Sequence, residues 1–346
     1  MTRRLTIAAA LVLSLGLSAS VSAQERMCAS TYVALDPANV DKDRAELSAV
    51  IVEQDRLITI SNESIAAENR QHSLQIYRGT PSSGYRFERD VELFTAAEGR
   101  CGGADFEGLA SSSGHVYAIT SHARLDAKKA KKRWSIQKLA DELGDEPGGV
   151  CSSRYQLHRF KLTADGTLVR VQQTSLRNFI ENHPQLHDAA RLPNKSGGVD
   201  IEGLAATADA LYVGFRGPVS KTNLVPVLKL PLELDDGSQR NAVLQSVMLD
   251  GRGIRGMAAG PDGIYILAGP TGGEAVTFSI YLWDGADQTA NPARGPAKVC
   301  NLGLHDGSKP EGIAFVDQKD GTTRLMLVFD GPPPLKAVLV NVPPAR

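Results

Sequence analysis

Apolar residues in this chain gather into short runs bounded by polar turns, and almost nowhere do they recur with a helical period. His115–Thr120, Leu211–Phe215, Gly263–Ala268 and Arg324–Phe329 are such runs, rich in the Val, Ile, Leu and Tyr that favour strands. Each follows the same phrase: a charged residue, Gly, an aliphatic residue or Met, then Ala. The copies are Glu107-Gly108-Leu109-Ala110, Glu202-Gly203-Leu204-Ala205, Arg255-Gly256-Met257-Ala258 and Glu311-Gly312-Ile313-Ala314. In the first three a tyrosine, Tyr117, Tyr212 or Tyr265, stands at one fixed distance from the charge. Self-similarity of this kind marks a repeat architecture.

Each phrase opens one strand, the apolar run after it is a second, and two more strand-like runs precede the next phrase. These outer pairs are Tyr155–Leu162 with Leu168–Thr174, Val225–Leu230 with Val243–Leu249, and Phe278–Trp283 with Lys298–Leu302. Ser48-Ala49-Val50-Ile51 and Arg56–Ser61 read as a degenerate first copy, with Leu74–Tyr77 and Tyr85–Phe94 as its outer strands. The fifth copy has three strands, ending at Ala337–Val342, and Thr31–Leu35 from the N-terminus is expected to supply its fourth. The prediction is an all-β, five-bladed β-propeller with four-stranded blades, closed so that few sheet edges stay exposed. Six blades is the alternative. Helix is expected only over Ala127–Leu143 and near Leu176–Ile180.

If the first strand of each blade is innermost and runs down from one face, called top here, its opening residue sits at the mouth of the central channel. The second strand returns to that face. Asp105, Glu107, Asp200, Glu202, Arg255 and Glu311 should therefore meet Asn62, Glu63, Ser121, His122, Arg216 and Asp330 around one opening. The glycine after each charge suits a place where innermost strands crowd together.

Residues 1–23 carry Arg3 and Arg4, an apolar stretch from Leu5 to Leu17 and a small-residue exit at Val21-Ser22-Ala23, the plan of a cleaved secretory signal. The mature chain, 24–346, is expected to be one domain in the periplasm or secreted. No later segment approaches the length of an apolar membrane span, and a net charge of −1 gives no global pull toward nucleic acid, whose binding signatures are also absent. Four cysteines in an oxidising compartment are expected to be bridged, in any of three pairings. Placing Cys101 and Cys151 on the same face favours pairing those two, which leaves Cys28 with Cys300.

At several of these words the chain resembles a bacterial family of propeller proteins, domain-of-unknown-function family 3616. The matching segments are Asp105–Ala110, Ser121-His122 followed by a Lys/Arg-rich insertion, Asp200–Ala205, Arg216-Gly217-Pro218, Ala268-Gly269-Pro270-Thr271 and Pro310-Glu311-Gly312. The resemblance covers roughly residues 40–335 and implies a propeller, with no activity attached. The Glu-Gly-Leu phrase is more loosely similar to phytase-like propellers, in which calcium held by acidic side chains binds phosphate esters. Those have six blades where five are expected here.

Carboxylates meeting at one mouth repel one another unless cations compensate. Asp105, Asp200, Glu107 and Glu202 are the candidate ligands, and oxygen donors without clustered His or Cys favour Ca²⁺ or Mg²⁺. No organic cofactor motif appears. Glu107, Glu202, Glu311 and His122 are the candidate catalytic groups. Arg216, Arg255, Ser121, Lys128 and Asp330 are the candidate contacts to a small anionic, phosphorylated ligand. Ser121 and His122 are neighbours on a strand and point to opposite faces, so they do not form a nucleophile and base pair. Residues 127–150, with Lys128, Lys129, Lys131, Lys132 and Arg133, would form a basic lid on the top face. The leading expectation is a secreted propeller that binds a small anionic ligand at this mouth with a divalent cation and hydrolyses a phosphate ester, in preference to a lactone or glycoside. Its alternative is a non-catalytic binding or assembly module whose channel carboxylates form ion pairs that hold the blades together.

Overall fold

The computed structural model describes residues 26–36, 47–62, 71–95, 103–124, 151–235, 238–303, 309–330 and 337–343. Two short N-terminal strands, β1 (Ala29–Val33) and β2 (Leu35–Asp36), come first. Blade 1 holds β3 (Leu47–Glu53), β4 (Arg56–Ser61), β5 (Gln71–Thr80) and β6 (Gly84–Thr95). Blade 2 holds β7 (Phe106–Ser112), β8 (His115–Thr120), β9 (Leu157–Leu162) and β10 (Leu168–Thr174). Blade 3 holds β11 (Asp200–Ala206), β12 (Leu211–Gly217), β13 (Leu224–Leu230) and β14 (Val243–Met248). Blade 4 holds β15 (Gly253–Gly260), β16 (Gly263–Gly269), β17 (Ser279–Trp283) and β18 (Ala297–Asn301). Blade 5 holds β19 (Lys309–Lys319), β20 (Thr322–Asp330) and β21 (Ala337–Val342). Its fourth strand is β1, antiparallel to β21. The fold is thus a five-bladed propeller closed by the N-terminal strand, and the six-blade alternative falls away.

Five apolar clusters lie between neighbouring blades, one for each seam of the ring. Alternate residues of a strand feed opposite seams. In β16, Tyr265 and Leu267 pack toward blade 5, while Ile264, Ile266 and Ala268 pack toward blade 3. A strand buried on both sides needs apolar residues at every position, which is why these runs do not alternate with polar residues. Each fully buried Leu, Ile or Phe contributes about 1.5–3 kcal/mol. No described helix is long and apolar enough to cross a membrane.

The N-terminal segment touches three blades in turn. Cys28 is disulfide-bonded to Cys300 of β18, with their Cα atoms 5.3 Å apart, and its backbone N–H donates to Asn301 O. β1 then completes blade 5, and β2 adds in parallel to the outer edge of blade 1 through β6. Cys151 is disulfide-bonded as well, and Cys101, the partner expected from sequence, lies outside the described residues. The signal segment 1–23 and the helix expected over Ala127–Leu143 also lie outside them. A short helix, α1 (Arg177–Asn182), forms on the connection from β10 to β11, close to the run Leu176–Ile180 expected to be helical.

Candidate functional site: a bulge ring in the channel

Every innermost strand carries a β-bulge at the same place. Opposite its partner strand each has one residue too many: Ser48 in β3, Glu107 in β7, Glu202 in β11, Arg255 in β15 and Glu311 in β19. A bulge re-aims the extra side chain and bends the strand. The charge of the repeated phrase is that extra residue, and Ser48 holds the place in blade 1. The glycine after it permits close approach: a Cβ on Gly312 would lie 3.0 Å from Ala49 Cα, and one on Gly108 2.8 Å from Leu204 Cβ.

Ser48, Glu107, Glu202 and Glu311 line a waist of about 10 Å³ in the channel, room for about one water. Below it lies a cavity of about 190 Å³ lined by aliphatic and small residues such as Val50, Leu109, Met257 and Ala314. Three of the carboxylates predicted to converge, Glu107, Glu202 and Glu311, therefore line one waist.

Arg255, almost wholly buried, joins three blades. Its Nη1 lies 2.9 Å from Glu202 Oε2, and its Nη2 donates to Glu311. Arg216 Nη1 donates to Glu202 Oε1 at 2.8 Å and stands 3.6 Å from Asp200 Oδ2. Asn194 Nδ2 donates to the same Asp200 oxygen. Arg154 Nη1 donates to Asp105 Oδ2 at 2.5 Å. Ser48 Oγ donates to Phe106 O at 2.6 Å. Arg154, Asn194 and Ser48 were not foreseen as site residues. For the two loop residues no repeat signature exists, because the top loops differ from blade to blade.

The waist holds more carboxylates than its cation can neutralise. Glu107 keeps part of its surface on the channel and has no hydrogen-bond or ion-pair partner among the described residues. Burial, then the charges of Asp105, Glu202, Glu311 and Asp200, hold its carboxyl well above the usual range. Burial also pushes Glu311 up to about 8, with Glu202 adding to the shift and Arg255 opposing it. Asp200 is pushed up to about 7, again by burial and then Glu202, against Arg216. Burial works against the charge of Arg255, yet Glu202 and Glu311 hold its guanidinium firmly protonated. Burial and mutual repulsion thus favour the protonated form in this ring, and Glu107 has no cation beside it among the described residues to oppose them.

His122 corrects the reading as a rim acid. It is buried, with φ +51, and both ring nitrogens serve the backbone: Nδ1 donates to Thr120 O at 2.9 Å and Nε2 accepts from Leu176 N at 3.2 Å. Burial lowers its pKa to about 4, so it is neutral and structural. Ser121 is buried and makes no hydrogen bond with His122; its Oγ accepts from Ala123 N. Arg216 and Arg255, expected to clamp an anion, already hold carboxylates. Asp330 is half-buried opposite Lys309 across β19 and β20. Lys128 and Glu63 lie outside the described residues, and Asn62 is half-buried, its Oδ1 without a hydrogen-bond partner among the described residues. Among the described residues no three His, Cys, Asp or Glu side chains are grouped to hold a metal ion.

The model of the protein family of unknown function DUF3616 matches residues 46–338. The chain belongs to that family. No curated protein matches the sequence of this DUF3616 member. Among solved structures it is similar to an exo-β-1,3-galactanase from Phanerochaete chrysosporium, at 8% identity, a TM-score of 0.47, and coverage of 92% of this chain and 64% of that one. A β-1,3-galactosidase of glycoside hydrolase family 43 gives 12%, 0.46, 92% and 60%. A mannose phosphorylase from Leishmania mexicana in complex with phosphate ion gives 10%, 0.44, 92% and 89%. The chain thus spans less than two thirds of the length of the first two. Nothing about ligands follows from likenesses this distant.

Proposed function

We propose that this protein binds a small polar ligand at the top-face mouth of its channel and that Glu107 is the group that meets it. The observation that carries this reading is the unequal ring. Ser48 is tied to the backbone of Phe106, and Glu202, Arg255 and Glu311 are tied to one another, while Glu107 alone keeps its polar atoms for a visitor. A carboxyl that retains its proton donates a hydrogen bond, and beside an ionised carboxylate it has the makings of a general acid. Asp105, Glu107, Asp200, Glu202, Glu311 and Asp330 face three arginines, Arg154, Arg216 and Arg255, each already paired. That balance favours a hydroxyl-bearing or cationic ligand over a bare anion.

The same excess of carboxylates supports a second reading, in which Ca²⁺ or Mg²⁺ joins the mouth and carries a phosphorylated ligand to be hydrolysed. Metal analysis of the purified full chain, followed by calorimetry against polyols, amines and sugar phosphates with and without chelator, separates the two. On the first reading Glu107→Gln weakens the ligand about tenfold or more at pH 6, with the urea midpoint no lower than wild type. Unchanged affinity in Glu107→Gln would remove Glu107 from the site. Binding that survives only without chelator would select the second reading.

A further inference from the structure

Away from the channel, on the top face at the seam of blades 2 and 3, lies a cleft of about 310 Å³. Arg124, just past β8, forms one wall, and α1 with the turns after it forms the other. Three guanidiniums line the cleft, from Arg124, Arg177 and Arg191, against a single carboxylate, Glu181. Asn182 and His187 complete its polar lining.

The frame is built rather than incidental. Leu176, Ile180, Leu186, Ala189 and Ala190 are buried in the seam beneath it, so helix and turns are held by the core. A backbone bridge from Arg124 to Pro193 fixes the two walls relative to each other. Arg177 stacks over the Tyr155 ring, its guanidinium carbon 5.3 Å from the ring centre, and donates to Glu181 Oε1 at 2.9 Å. Arg124 Nε is buried with no hydrogen-bond partner among the described residues. Arg191 is exposed and in no ion pair among the described residues. Burying a guanidinium N–H unpaired costs free energy that a visiting acceptor recovers. Where the channel arginines are matched by carboxylates, this cleft carries a surplus of positive charge.

We propose that this cleft is a second binding site, independent of the mouth, for a small molecule bearing a carboxylate or phosphoryl oxyanion. Guanidiniums present paired N–H donors that match such oxygens in bidentate geometry. The volume lies at the small end of the range of about 300–1,000 Å³ for small-molecule sites.

Calorimetric titration of the full chain with inorganic phosphate, glycerol phosphate and succinate, at constant ionic strength set with chloride, tests the assignment. Saturable 1:1 binding of at least one of them is expected. Phosphate compounds alone would identify a phosphoryl ligand, and succinate alone a carboxylate ligand. Arg191→Ala and Arg124→Lys should each weaken that binding about tenfold or more, and Glu181→Gln should tighten it. Arg191 is exposed, so its substitution leaves the urea midpoint unchanged and the binding loss is read on a folded protein. Absence of saturation up to about 10 mM overturns the proposal. So does wild-type affinity in both arginine variants, or a loss of anion binding in Glu107→Gln with none in Arg191→Ala.

Discussion

Arg255→Met is expected to remove about 3–5 kcal/mol of folding stability, the effect of leaving buried carboxylates without their cation. A single guanidinium stands between Glu202 and Glu311, on strands β11 and β19 that belong to blades on either side of its own. Methionine fills much of the space but leaves Glu311 without its cation and Glu202 with Arg216 alone, both near Glu107. With total stabilities of about 5–15 kcal/mol, such a loss is large. The variant should also depend on pH in a definite direction. Losing the cation raises the folded-state pKa values further above their unfolded values, so the stability they contribute is complete in acid and is lost as pH rises through the folded values. Urea titrations at pH 5 and pH 8 should therefore separate variant from wild type far more at pH 8. The triple variant with Glu202→Gln and Glu311→Gln should recover much of the deficit at pH 8, because the two groups deprived of their guanidinium then carry no charge. A lone Arg255→Met with the wild-type midpoint at both pH values would show that the ring does not hold the blades together.

His158→Leu is expected to stabilise the protein in acid. His158 on β9 is buried against Phe94 and Phe106, with ring centroids 5.8 and 5.6 Å away, and neither ring nitrogen has a hydrogen-bond partner among the described residues. Burial lowers its pKa to about 4. The folded value lies below the unfolded one of about 6.5, so the unfolded chain takes up the proton first. The contribution of the neutral ring is complete above about pH 6.5 and is lost as pH falls toward 4. At pH 4.5 the substitution should accordingly restore about 2–3 kcal/mol relative to wild type, from roughly two pH units at 1.36 kcal/mol each. A smaller gain is expected at pH 7.5, from removal of two unpaired polar atoms. Urea midpoints from pH 4.5 to 7.5 measure both effects. If wild type and variant lose stability in parallel across that window, His158 does not titrate as described. His72 and His122 are lowered to about 4 for the same reason, and they keep hydrogen bonds that leucine would break.

The ring of blades was legible because each blade repeats one local problem, an innermost strand that must bend beside its neighbour, and four of the five answer it with Gly after a bulge residue. Four copies of charge, Gly, apolar, Ala were enough to place Glu107, Glu202, Arg255 and Glu311 around one axis. Ser48 took the same position with a different side chain, which marked blade 1 as degenerate and concealed that its serine joins the ring. What the repeat could not reveal is which groups pair. Arg154 and Asn194 come from connections that no other blade shares, and they take up Asp105 and Asp200. His122 was misread for a backbone reason: its φ of +51 turns the ring inward at the end of β8, and no residue pattern announces that turn. The arginine cleft draws on Arg124, Arg177 and Arg191, far apart in sequence and brought together by α1 folding back over its seam.

The stretch that stitches blades 4, 5 and 1 together is made first and seated last. Cys28 reaches Cys300 across a sequence separation of 272, and β1 has no partner until β21 exists. During synthesis this stretch must wait until Ala337–Val342 have emerged. Closure of the ring therefore cannot precede formation of β21, and a form caught before it would be an open arc with two raw flanks.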